Sequence, residues 1–229
     1  MATDELTVKR IKNILCLAEQ GTHTIPYGKV EVMPDGPGGK RQITLSVGFT
    51  QYGSNLGKVL TEYQKRGGIN ATELVAYSLS SPSLPENAKF KDLLKKSGSD
   101  PIMQAVQEDL YTSLYIGPAL KWAEDEGFKE PLSLLVICDS FLHSGSIPGF
   151  LRSRFPEKTP KNGGDEKAWI TAYTRERQKW LGSHSTKLLQ TTVYRTKYFH
   201  ELFALEDWGL EQAHTVAMHG TKPIQFDTA

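Results

Sequence analysis

A chain of 229 residues in which 27 lysines and arginines face 26 aspartates and glutamates carries a formal charge of +1, so neither a nucleic-acid stripe nor a membrane-surface patch stands out. Its ordinary apolar and charged fractions describe a globular protein able to bury a core, as one large domain or as two lobes sharing a cleft. No stretch reaches the length of a membrane span, and the N-terminus lacks a basic segment followed by an apolar one, as would also hold for a secreted protein stripped of its leader.

Taken in chain order, the pattern first predicts a helix over residues 6–19, where Val8, Ile11, Leu15 and Ala18 recur every three or four positions and Ile14 and Leu17 widen the stripe. Glu19 lies four residues beyond Leu15 and therefore projects from the same apolar face, where loss of water favours the protonated form of a carboxyl. The period then changes. Lys29-Val30-Glu31-Val32 alternates, Pro34-Asp35-Gly36-Pro37-Gly38-Gly39 is a dense turn signal, and residues 42–47 alternate again, predicting a β-hairpin with Asp35 near its tip. Helical spacing resumes over 55–63, with shorter helices from Ala71 and Glu86, and the serine- and proline-rich stretch 78–85 is a loop suited to joining two lobes.

Asp100-Pro101 reads as a cap and first-turn proline opening a helix to about residue 124, which Pro118 would kink. Pro131 opens a helix whose run 132–142 is apolar on nearly all sides and belongs at the centre of a bundle. Residues 144–164, rich in glycine and proline, form an irregular loop of the kind that borders a site or crosses between lobes, and helices follow over 165–181 and 185–205. The expected class is α+β, predominantly α-helical, as one domain over 1–229 with a hairpin lobe near 20–80 and a helical lobe near 100–210.

Several residues carry candidate chemistry. One carboxyl in an apolar setting, Glu19, with a second on a solvated turn, Asp35, is the minimum equipment for cutting a glycosidic bond; a surface acid at a helix end and an ordinary turn aspartate fit the same spacing. Asp139 falls inside an apolar run, where a charge is costly unless paired, and Arg177 and Arg195 on the last two helices are the chosen partners. Such a set would tie helices together, support a catalytic acid, or do both. His143, one turn after Asp139, reads as a hydrogen-bonded core or cleft residue. The six histidines and two cysteines have no metal-ligand spacing, so no metal or cofactor is expected, and Cys16 and Cys138 read as core thiols with a disulfide between them left open. Ser144 and Ser146 lack a nucleophile elbow. Trp122, Trp169, Trp180 and Trp208 are sugar-stacking platforms or, more commonly at such spacing, core.

These segments in this order resemble the bacterial chitosanases of glycoside hydrolase family 46, in the lysozyme-like superfamily. The carrying residues are Ala18-Glu19, Tyr27-Gly28-Lys29-Val30-Glu31, Asp35-Gly36, Val47-Gly48-Phe49, Asp139 with His143, and Gly163-Gly164-Asp165-Glu166 ahead of Arg177. The resemblance implies a lysozyme-like two-lobed fold with a small sheet and a substrate cleft. By it, Glu19 is the general acid and Asp35 the general base of an endo-acting, inverting hydrolase of β-1,4 bonds in chitosan or a related amino-sugar polymer. Thr44 then helps hold the water, Tyr27, Asn55 and His143 bind substrate, and Asp139, Arg177 and Arg195 form the network behind the acid. It further implies a secreted enzyme whose partner is the polysaccharide, with no nucleic acid, no membrane and a monomeric state. Two departures stand out: the hairpin after Asp35 is longer than in the family, and Asn55 replaces an aspartate that reads the substrate's amino group. An amide there suits a neutral or N-acetylated sugar. A peptidoglycan muramidase and a non-catalytic carbohydrate-binding module are the alternatives.

Overall fold

The computed structural model describes residues 3–212 together with the backbone of 215–216 and 224–225; His214 and His219 lie outside the described residues. In chain order the elements are α1 (Glu5–Gln20), β1 (Val30–Met33), β2 (Gln42–Leu45), β3 (Phe49–Thr50), α2 (Asn55–Lys65), α3 (Ala71–Val75), α4 (Ala88–Ser97) and α5 (Pro101–Tyr111). They continue with α6 (Gly117–Glu126), α7 (Pro131–Ser144), α8 (Gly149–Arg152), α9 (Glu166–Gly182), α10 (Lys187–Gln190), α11 (Tyr194–Ala204), β4 (Thr215–Val216) and β5 (Ile224–Gln225). The fold is α+β and mostly helical, as the periodicities predict. Among the described residues no helix is long and apolar enough to cross a membrane.

Two compact units emerge from the chain, one made of Met1–His23 with Tyr115–Ala229 and the other of Thr24–Leu114. The loop 78–85 therefore lies inside the second unit and does not join lobes.

The first unit is organised on α7, which packs against α1, α6 and α9. Every residue of α7 from Leu132 to Ser140 is buried, and each large apolar side chain there contributes about 1.5–3 kcal/mol on leaving water. Its entrance is held from another helix: Glu166 at the start of α9 accepts the N–H groups of Lys129 and Glu130 at 2.9 and 2.8 Å. Trp169 on α9 is fully buried and sits among Phe128, Phe155 and Tyr173 with ring centroids 5.0–5.3 Å away, so its indole belongs to the core. Cys16 and Cys138 are both buried thiols.

Two expected helices are interrupted. Between α5 and α6 the residues Thr112–Ile116 form a π-helical turn, because Pro118 lacks an N–H and its ring crowds the carbonyl four residues back. Ahead of α11, Thr191–Val193 make a 3-10 turn in which the hydroxyls of Thr191 and Thr192 bond back to the carbonyls of Leu188 and Leu189, both at 2.7 Å. Those side chains compete with the helical ladder and end α10 early.

The second unit carries a three-stranded antiparallel sheet in the order β1-β2-β3. The hairpin register pairs Val30 with Leu45 and Glu31 with Thr44; β3, absent from the sequence expectation, adds Thr50 opposite Thr44 and Phe49 opposite Leu45. Ile43 and Leu45 are buried, while Gln42 and Thr44, two apart, share the other face. Helix α2 packs against β3, α3 and α5.

Candidate active site

In the first unit the last turn of α1 ends at Gly21, whose left-handed φ of 70° lets its N–H return to the Leu17 carbonyl at 2.9 Å. Glu19 stands in that turn with 25% of its side chain exposed. Its carboxylate Oε1 pairs with Nη2 of Arg195 on α11, and Nη1 of the same guanidinium pairs with Oδ1 of Asp139 on α7. The second oxygen of Asp139 accepts from Arg177 Nη1 on α9 at 2.5 Å. Asp139 and Arg177 are wholly buried, so one carboxylate divides its two oxygens between two guanidiniums, and one of those reaches out to Glu19.

The setting of Glu19 departs from the apolar surroundings expected of its helix face. That face turns toward α11, which delivers a cation rather than a hydrocarbon. Residue Tyr194, adjacent to Arg195, adds a second grip: its hydroxyl donates to the Ala18 carbonyl at 2.7 Å, satisfying one of the backbone acceptors that a helix end leaves without an intrahelical partner. Two neighbouring residues of α11 thus fix the backbone and the side chain of one turn of α1.

Burial works against the charge on both arginines. For Arg177 the field of Asp139 and Tyr173 and the hydrogen bond to Asp139 outweigh that loss and hold the guanidinium above its ordinary range, whereas burial pushes Arg195 down to about 9. His143 closes the set, its Nδ1 3.2 Å from Arg177 Nη2. A guanidinium only donates, so Nδ1 accepts and the proton of the neutral ring sits on Nε2. Burial first, and then the Arg177 charge, lower the His143 pKa against an opposing pull from Asp139.

A pH dependence follows. The unfolded chain binds the imidazole proton more readily than the folded one, so this contribution to stability is complete above the ordinary value of 6.5 and is lost as pH falls from there toward the folded value. The melting temperature should therefore drop more steeply from pH 7 to 5 than that of His143→Gln; parallel curves would show that the ring titrates normally.

In the second unit Asp35 follows β1 in an exposed loop, and its Oδ1 accepts from Gln42 Nε2 at 3.1 Å. Thr44, two residues along β2, has a buried Oγ1 with no hydrogen-bond partner among the described residues. Glu31, opposite Thr44, is about half exposed and bridged to Lys29 at 3.1 Å. Tyr27 donates its hydroxyl to Glu108 Oε1 at 2.8 Å, and Asn55 opens α2 with its Oδ1 3.3 Å from Lys58 Nζ. The structure thus gathers Glu19, Asp139, His143, Arg177 and Arg195 in one unit, and Asp35 with Thr44 on the sheet of the other; Tyr27 and Asn55 are held in that second unit by different partners. Sequence reasoning missed Gln42 and Tyr194. The first left a signal, a polar residue at an alternating position of a strand that must lie against the core, and the second left none.

Among the described residues no cluster of histidine, cysteine and acidic side chains has the makings of a metal site. What the arrangement offers is proton chemistry by carboxyl groups.

The family model of glycosyl hydrolase family 46 matches residues 13–212, and the chain belongs to that family. The chitosanase of Bacillus subtilis (strain 168) is 27% identical over 179 residues, 72% of this chain and 64% of that protein, so the match spans less than two thirds of this relative. The native chitosanase of Bacillus subtilis MY002 superposes with a TM-score of 0.83 at 21% identity, covering 99% of this chain and 100% of that one. A chitosanase of the same family from Gynuella sunshinyii, in complex with chitotetraose, gives a TM-score of 0.81 at 20% identity over 99% of each chain. At these identities the structural likeness concerns the fold.

Proposed function

We propose that this protein is an endo-acting, inverting glycoside hydrolase that cleaves β-1,4 bonds in chitosan or a related amino-sugar polymer. Glu19, held to Arg195 through Oε1, carries its proton on Oε2 and gives it to the departing glycosidic oxygen, and Asp35 draws a proton from the water attacking the opposite face of the sugar. The Thr44 hydroxyl, buried and without a protein partner among the described residues, gives that water a second contact. Inverting chemistry usually separates its two carboxyl groups by about 6.5–9.5 Å, which leaves room for that water.

The observation that carries this reading is the seat of Glu19. A buried ionic set seldom adds stability over an apolar packing of equal volume, since removing each ion from water costs several kcal/mol. Retaining Asp139, Arg177 and Arg195 to fix one partly accessible carboxyl makes sense if that carboxyl is used. The chitosanase relatives support chitosan as substrate. Asn55, with the Lys58 ammonium beside it, favours a neutral or N-acetylated sugar at that position and so a partly acetylated chitosan, or peptidoglycan as a second reading. The enzyme is secreted, acts as a monomer and has the polysaccharide as its only partner.

Reducing-end release from chitosans of graded acetylation and from purified cell walls tests the substrate, and the first-formed anomer tests the stereochemistry. Asp35→Asn should lose about two to four orders of magnitude in turnover. Survival of activity would move the base to Glu31, and oligosaccharide binding without any turnover by the parent would leave a non-catalytic module.

A further inference from the structure

We propose that Gln42 is a positioning residue for Asp35, holding one carboxylate oxygen so that the other faces the water it activates. The inference deepens the reading of Asp35 as the general base and rests on it. Gln42 is 5% exposed, on the middle strand of the sheet, and its amide makes two bonds of opposite sense. Oε1 accepts from the backbone N–H of Tyr52 at 3.2 Å, and Nε2 donates to Asp35 Oδ1 at 3.1 Å.

A backbone N–H can only donate, so the amide oxygen must face Tyr52 and the amide nitrogen must face Asp35; the orientation is set by the main chain. Only one donor is thereby aimed at the carboxylate, and it engages a single oxygen.

The same residue, Tyr52, supports the loop from the other side. A Cβ added at Gly36 would stand 2.7 Å from the Lys40 carbonyl and 2.9 Å from the Tyr52 ring, so the backbone next to Asp35 lies directly against that ring. The Gly36 N–H closes the loop onto the Lys40 carbonyl at 2.9 Å. Asp35 is thus an exposed side chain on a braced loop, gripped by a buried amide. Exposed carboxylates are otherwise conformationally mobile, and catalytic groups must be held close to one geometry.

Two substitutions test this alongside Asp35→Asn. Gln42→Met removes both amide bonds at similar volume; Gln42→Glu keeps an acceptor for the Tyr52 N–H and replaces the amide donor to Asp35 with a second carboxyl. On a defined amino-sugar oligomer both should lower kcat by about ten- to a hundredfold with KM nearly unchanged, and Gln42→Glu should also move the acid limb of the kcat profile to higher pH, because a carboxyl beside Asp35 disfavours its charge. A folded Gln42 variant with parental kcat, beside an inactive Asp35→Asn, overturns the positioning role and leaves the base intact. A kcat loss matched by a change in KM, with the pH profile of Gln42→Glu unmoved, also overturns it, since strand support would then be the whole effect. Should Gln42→Met fail to fold, the kcat of Gln42→Glu decides. Full activity in Asp35→Asn removes the base reading, and this inference with it.

Discussion

Glu19→Gln should leave the protein folded and remove nearly all turnover on polysaccharide. An amide has the shape of the acid but no acidic proton, and a positioned proton donor is worth about two to four orders of magnitude in rate. Folding survives because the side chain is partly exposed and Arg195 keeps its bond to Asp139. Leaving-group chemistry separates this cause from simple misplacement. A glycoside whose leaving group needs no protonation should regain most of its rate in the variant, while the polymer should not. Parental activity on the polymer in a folded Glu19→Gln protein would end the assignment of the acid.

The second large effect belongs to stability. Asp139→Ala would leave the guanidiniums of Arg177 and Arg195 buried without the carboxylate they share, and breaking a buried pair by removing one partner costs about 3–5 kcal/mol. For a chain of this size each kcal/mol lowers the melting temperature by about 2–4 °C, so calorimetry should read a large downward shift. Activity should fall as well, because Arg195 loses the anchor from which it reaches Glu19. Asp139→Asn, which keeps the shape and one acceptor, should fall between the parent and the alanine variant. A melting temperature for Asp139→Ala equal to the parent's would mean that the arginines find other partners.

Much of this was legible from residue order. The stripe Ile11, Leu15, Ala18 places α1 and its terminal acid; the glycine-rich break places Asp35 between two strands; the apolar run around Asp139 requires a buried cation, and Arg177 and Arg195 supply it. The partner of Glu19 was harder to see. A helical stripe reports which face is covered but not by what, and here the covering group is a guanidinium from the far end of the sequence. Strand β3 escaped because two residues after a tight turn carry too little alternation to read. The π turn and the broken helix before α11 arise from one proline and two threonine hydroxyls, whose effects on backbone hydrogen bonding leave the apolar spacing intact. Gln42 matters through the direction of its amide, which no spacing encodes.

The bond from Tyr194 to the Ala18 carbonyl joins residues 176 positions apart, and it bears on the order of events during synthesis. Synthesis delivers α11 long after α1, so the turn bearing Glu19 stays without the grip of Tyr194 and Arg195 until that later helix docks. Under the role proposed for Glu19, the geometry of its turn is a late acquisition of folding, and a product stopping short of Tyr194 should show no turnover.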